Sequence, residues 1–291
     1  MKTSYRKTFV CLLALTAATL WTVSAHAVCP SRERVNTILR FQEMKIPLRG
    51  LRADLTMEHA ECGRRRLVER IEASDNRIVG YKAGLTSRAA QERFGVASPV
   101  RGVLLEKMLL KDGADVPADF GARPMYEADL LVVVRDAAIH QAKTHLDVLR
   151  ALSIVAPFIE LPDLLVAEGE KLSAPLIASL NVGARLGVVG KGVPAQATPE
   201  FAAALASMRV VVVDGKGQEI ASAKGAAILD HPLNAVLWLV QDLARAGIKL
   251  KSGDVLSLGS FTAPRQPQPG LAVTVRYVGL PGDPAVSVRF R

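Results

Sequence analysis

Aromatic residues are scarce, at 5% of 291 residues, with two tryptophans and four tyrosines. That leaves little surface on which nucleobases could stack, and the formal charge of +9 is spread along the chain. Arg64-Arg65-Arg66 is its tight basic cluster, and it reads as a solvated helix face, so nucleic acid is not an expected partner. The three cysteines include no Cys-x-x-Cys pair, and no His-x-x-x-His occurs, which argues against zinc. Without Gly-x-Ser-x-Gly there is no acyl-transfer serine elbow, and the glycines make no phosphate loop. Internal repeats and low-complexity tracts are also lacking. The apolar fraction of 49% is ample for a packed core.

The most apolar run, from Phe9 to Val23, falls short of the ~20 residues of a membrane span and is broken by Thr16, Thr19 and Thr22. Lys2, Arg6 and Lys7 precede it, and Ala25-His26-Ala27 follows. A basic start, a short apolar stretch and small residues at a cleavage site describe a secretory signal over 1–27. Cleavage is expected after Ala27, releasing a periplasmic or secreted product with no membrane association. Cys11 leaves with that segment. Cys29 and Cys62 remain in a compartment that permits disulfides, and their pairing stays open at this stage, because spacing does not fix Cα separation.

Two helices are predicted after the signal, from Ser31 to about Ile46 and from about Met57 to Ala73, with Ser31 and Thr56 as caps. They define an N-terminal helical region over 28–77. From Ile78 the chain changes to short β-like runs: Ile78–Ala83, Val103–Leu110, Met125–Val134, Val210–Val213, Val255–Leu258, Ala272–Val278 and Ala285–Phe290. Helices are expected at Thr86–Phe94, Thr144–Val155, Pro199–Ala206 and Leu233–Ala246. Pro232 suits a first helical turn and Gly247 a left-handed cap. The irregular alternation argues against a doubly wound parallel sheet and for a β-dominated mixed domain over 78–291.

Met125-Tyr126-Glu127-Ala128-Asp129 heads the apolar run Leu130–Val134. Positions i and i+2 of a strand share a face, so Glu127 and Asp129 project together. Two like charges beside a core repel unless a cation lies between them, and a hard divalent ion bound through oxygen resolves that conflict. The competing reading is a solvated strand end. Glu160, alone between Pro157 and Pro162, is a candidate third carboxylate. Lys82, flanked by Gly80 and Gly84, could anchor a substrate carboxylate or move protons. Gly259-Ser260-Phe261-Thr262 places two hydroxyls in a loop after a strand.

Taken in order, Gly80-Tyr81-Lys82-Ala83-Gly84-Leu85-Thr86, the Glu127/Asp129 pair, Glu160, His231-Pro232-Leu233-Asn234, Ser252-Gly253-Asp254 and Gly259–Thr262 resemble one family. It is the fumarylacetoacetate hydrolase superfamily, in its 2-keto-4-pentenoate hydratase and oxalocrotonate decarboxylase branch, and the likeness runs from about Arg52 to the C-terminus. The resemblance implies an α+β fold, a mixed β-roll domain behind the helical region, assembled into homo-oligomers. It implies Mg2+ or Mn2+ held by Glu127, Asp129 and Glu160, with Asp129 standing where glutamate is usual. Lys82 takes the place of the active-site lysine, and Ser260 and Thr262 border the substrate. A 2-hydroxydienoate or 2-oxo acid would chelate the ion, which stabilises an enolate while water adds.

Three departures stand out. Pro99-Val100-Arg101-Gly102 occupies the place of a Pro-Asp-Phe-Gly element, Lys107 stands near the place of a later acidic residue, and Leu180 takes that of an aspartate. Hydration of a small 2-oxo acid is the leading expectation. The alternatives are decarboxylation, C–C hydrolysis or tautomerisation on the same logic, and an exported, non-catalytic 2-oxo-acid-binding protein.

Overall fold

The computed structural model of the chain describes residues 29–52 and 54–291. The expected signal, 1–27, lies outside them. No helix among the described residues is long and apolar enough to cross a membrane.

The helices are α1 (Arg32–Glu43), α2 (Met57–Glu72), α3 (Arg88–Phe94), α4 (His145–Arg150), α5 (Ala174–Ser179), α6 (Pro199–Ser207) and α7 (Pro232–Arg245). Strands β1 (Ile78–Gly84), β2 (Val100–Leu105), β3 (Leu109–Lys111) and β4 (Ala114–Val116) come first, then β5 (Glu127–Val134), β6 (Leu152–Leu161) and β7 (Leu186–Val189). They are followed by β8 (Val193–Pro194), β9 (Arg209–Asp214), β10 (Glu219–Lys224), β11 (Val255–Ser257), β12 (Ala272–Val278) and β13 (Ala285–Phe290). One mixed sheet runs β2-β1-β11-β5-β6-β7-β3, with β8 also paired to β6, and a second runs β10-β9-β12-β13-β4. The second sheet packs through β12 and β13 on β6, closing a core that also takes the apolar stripe of α7: Leu233, Val236, Leu239, Val240 and Leu243. Tyr277 of β12 reaches across this core. Its hydroxyl donates towards the Asp129 and Phe158 carbonyls of β5 and β6 and so fastens the second sheet to the strands that carry the carboxylates.

Side-chain caps place the helix starts where the sequence put them. The Ser31 hydroxyl accepts from the Arg34 amide, and Thr56 and His59 form a reciprocal box at α2. His231 caps α7 through Nδ1, which accepts from the Leu233 amide at 3.1 Å.

Three expectations are corrected. The helix drawn over Thr144–Val155 stops at Arg150, and β6 begins two residues later. The run Leu152–Leu161 pairs along its length with β5, so sheet formation wins over local helical periodicity. The strand drawn over Val103–Leu110 is broken by a short 3-10 turn, Glu106–Met108. Arg64 is not solvated: it is 4% exposed, ion-paired to Glu61, and donates to the Arg101 carbonyl at 2.7 Å. Arg101 in turn bridges Glu61 and Asp242, at 3.1 and 2.6 Å. This network ties α2 to β2 and α7, whereas Arg65 stays exposed.

Cys29 and Cys62 are joined in a disulfide with Cα atoms 5.5 Å apart, closing a span of 33 residues onto α2. Reduction, or Cys62→Ser, is expected to lower unfolding stability by about 2–4 kcal/mol, the entropy returned to the unfolded chain. Denaturant titration with and without reductant measures it.

Candidate active site

Strand register brings the candidate residues onto one face of the larger sheet. Lys82 of β1 lies opposite Ser257 of β11, and Ser257 opposite Leu131 of β5. Asp129 and Glu127 follow Leu131 at two-residue steps, so they share its face. Across β6, Glu127 faces Glu160 and Asp129 faces Phe158. The face therefore carries Lys82, Ser257, Asp129, Glu127 and Glu160 together.

Lys82 is 3% exposed and its ammonium is ion-paired with Glu160. It also donates to the Val182 carbonyl at 3.1 Å. Val182 sits at φ 55°, an uncommon conformation for a β-branched residue, and the twist turns its carbonyl towards the lysine. Asn181 anchors that turn on β2, accepting from the Val103 amide at 2.7 Å and donating to the Val103 carbonyl at 2.9 Å. Gly102 is required by the close packing: a Cβ there would stand 2.8 Å from Lys82 Cγ and 3.0 Å from the Asn181 carbonyl.

Asp129 is fully buried and surrounded by donors. Its Oδ1 accepts from the amides of Leu130, Leu258 and Gly259 at 2.5, 3.1 and 3.0 Å, and its Oδ2 from the Ser257 hydroxyl at 2.6 Å. Asp129 thus fixes the start of the 259–262 loop. Gly259 allows the approach with φ +104°, where a Cβ would collide with the Thr86 hydroxyl. Within that loop the Ser260 hydroxyl donates to the Thr262 carbonyl at 2.5 Å, so Thr262 takes part through its main chain there.

The electrostatics are unbalanced. Burial, and then the neighbouring Glu160 carboxylate, push the Glu127 carboxyl up to about 8 against the pull of Lys82. The same two causes push Asp129 up to about 7, with the Ser257 hydrogen bond opposing them. One ammonium does not neutralise three carboxylates.

No protein-family model matches the chain. It is 32% identical over 237 residues to the TodF product hydratase of Pseudomonas putida F1, covering 81% of this chain and 85% of that one. It is 30% identical to a 2-keto-4-pentenoate hydratase of Paraburkholderia xenovorans LB400, over 74% of this chain and 78% of that one. Among solved structures, the 4-oxalocrotonate decarboxylase of Pseudomonas putida G7, complexed with magnesium and adipate, superposes with a TM-score of 0.79 at 29% identity. That likeness covers 90% of this chain and 99% of the other. The chain belongs to the fumarylacetoacetate hydrolase superfamily. It is an enzyme of the 2-keto-4-pentenoate hydratase and oxalocrotonate decarboxylase branch, with the mixed α+β fold of that superfamily.

The donor chemistry fits a hard divalent cation of the kind this branch is expected to use: hard oxygen ligands, and a buried surplus of negative charge that such an ion would cancel. The geometry is less complete. Among the described residues no three acidic, histidine or cysteine side chains gather at one coordination point. Glu160 is drawn to Lys82, and Asp129 is held by the loop amides and Ser257. The shorter arm of aspartate explains that capture, because it keeps the carboxylate close to its own sheet.

Several residues that shape the site escaped the sequence reading. Ser257 is polar within the apolar run Val255–Leu258, a signal that could have been used. Asn181 and Tyr277 act through the fold, and nothing local marks them. Val100 lies on β2 two residues from Gly102, so it shares the lysine's face, and it packs with Ala60, Ala178 and Val182. The place of the family's aspartate is therefore an apolar wall.

Proposed function

We propose that this enzyme is a divalent-metal-dependent hydratase acting on a small 2-oxo or 2-hydroxydienoate acid, in the manner of a 2-keto-4-pentenoate hydratase. The observation that carries this reading is one sheet face on which Glu127, Asp129 and Glu160 stand together beside Lys82, which is ion-paired to Glu160. Glu127 and Glu160, opposed across β5 and β6, together with Asp129 would hold Mg2+ or Mn2+. The bound ion would act as a Lewis acid towards a chelating 2-oxo acid. Lys82, held between Glu160 and the Val182 carbonyl, would serve as the proton-moving group. The Val182 carbonyl keeps the ammonium oriented, and the 259–262 loop, held by Asp129, borders the substrate with Ser260 and Thr262. The apolar wall at Val100 excludes water from one side of the lysine.

Val100 also favours a second reading. With no acid beside Lys82 on β2, the proton relay is shorter than in the family pattern, which suits decarboxylation or tautomerisation on the same substrate class. Incubation with Mg2+ and 2-hydroxypenta-2,4-dienoate, followed by NMR of the products, tests the proposal. Appearance of 4-hydroxy-2-oxopentanoate is expected. Release of carbon dioxide from an oxalocrotonate substrate without hydration would establish the second reading, and no turnover of either would overturn both.

We further propose export of the mature chain from residue 28 and assembly into a homo-oligomer. The Cys29–Cys62 bridge beside the expected new N-terminus supports an oxidising compartment.

A further inference from the structure

Asp163 is a buried carboxylate that the mechanism above does not use. It is 1% exposed, and among the described residues its side-chain partners are main-chain amides. Oδ2 accepts from the Ala122 amide at 3.0 Å, and Oδ1 from the Arg123 and Leu165 amides at 2.8 and 3.0 Å. Gly121 makes room for it: a Cβ there would stand 2.5 Å from Asp163 Cγ. Leu165 sits at φ 53°, so the carboxylate holds a twist that leucine does not favour by itself.

The main chain around Asp163 joins the segments that carry the site. The Pro162 carbonyl, two residues beyond Glu160, accepts at 2.9 Å from the Met125 amide, two residues before Glu127. The Asp163 amide donates to the Gly183 carbonyl at 2.9 Å. Gly183 closes the turn Asn181-Val182-Gly183, whose residues stand at φ 56°, 55° and 67° and whose Val182 carbonyl takes the Lys82 ammonium. Consecutive left-handed residues persist only where their surroundings fix them. Asn181 fixes the front of this turn on β2, and Asp163 fixes its end.

We infer that Asp163 is a positioning residue of the active site: its carboxylate holds the junction of 121–125, 162–165 and 183, and through it sets Glu160 against Glu127 and keeps the Val182 carbonyl on Lys82. This role rests on the function proposed above, in which Glu127 and Glu160 share an ion and Lys82 moves protons. The junction needs a carboxylate in particular. Three N–H donors converge on its two oxygens, and an ionised carboxylate only accepts, with about four lone-pair sites. Asparagine has the same outline but turns an amino group towards one of those donors, which leaves two buried donors facing each other.

Asp163→Asn tests this beside the wild type and Gly121→Ala, which keeps the carboxylate and displaces it with a Cβ. Melting curves of the full mature proteins first fix a temperature at which each is fully folded. There, Mg2+ affinity is measured by isothermal titration, and kcat and KM with 2-hydroxypenta-2,4-dienoate. In Asp163→Asn, Mg2+ affinity and kcat are each expected to fall about 10- to 100-fold, the range for groups that orient metal ligands, while KM moves less. Gly121→Ala is expected to show the same pattern at smaller amplitude, and it decides the matter where Asp163→Asn does not fold. Wild-type Mg2+ affinity and kcat in a folded variant, with the loss confined to the melting temperature, would make Asp163 a purely structural residue and overturn the inference alone. A change in KM without a change in Mg2+ affinity or kcat would do the same, as would failure of both variants to fold. A wild type that binds no Mg2+ or leaves the acid unchanged would overturn the proposed function, and this inference with it.

Discussion

Lys82→Met is expected to abolish turnover and to destabilise the metal-free protein by about 3–5 kcal/mol at pH 8, the cost of leaving a buried charge unpaired. At pH 5.5 the stability loss should be smaller, by the share that Glu127 and Asp129 contribute. The reason lies in the carboxylates that surround the ammonium. Glu127 and Asp129 are already pushed up to about 8 and about 7 with the lysine present, and its removal pushes them further up. In mildly acidic solution they take up protons and need no counter-charge. Thermal or denaturant melts at the two pH values measure the difference. An equal loss at both would mean that Lys82 acts through its ion pair with Glu160 and the packing of its stem, and not through the charges of Glu127 and Asp129.

The metal-free wild type is expected to lose stability as pH rises from about 5 to about 8, and Mg2+ should reverse that loss. The sign follows from linkage. The folded Glu127 and Asp129 carboxyls hold their protons well above the ordinary values of 4.5 and 3.8, so the folded state binds more protons than the unfolded one across this interval. Their contribution to stability is complete below those ordinary values and is lost as pH climbs through about 7 and about 8. A divalent ion binds the deprotonated site, so its stabilising effect is greatest where the metal-free protein is weakest. Melting curves in chelator and in saturating Mg2+, taken at unit pH steps, should diverge towards alkaline pH. Parallel curves would show that the carboxylates do not face the ion.

Much of this site was legible before any coordinates. Glu127 and Asp129 share a face because strand periodicity is local, and Lys82 was marked by the glycines that let its stem pack. The limits Ala272–Val278 and Ala285–Phe290 were read as they stand in β12 and β13, since each run alternates and ends at glycine, proline or the chain terminus. Glu160 was named as a candidate, but its place opposite Glu127 depends on pairing between β5 and β6. The helix drawn through Val155 hid that pairing, because a β-branched apolar run has no helical veto of its own. Arg64 differs for a related reason: its guanidinium is covered where it donates to the Arg101 carbonyl of β2, which a helical wheel does not contain. The capture of Asp129 by the Leu258 and Gly259 amides is further still from the sequence, for it needs β11 beside β5 and a glycine at φ +104°.

Titration of Mg2+ into chelator-treated protein, comparing the wild type with Glu127→Gln and Glu160→Gln, tests the central claim most directly. The account predicts one site per chain in the wild type, weakened at least about 100-fold in each variant, since removing a ligand costs no less than removing the groups that orient one. Wild-type protein that binds no Mg2+, or variants that bind it as tightly as the wild type, would contradict the claim that these carboxylates form a metal site.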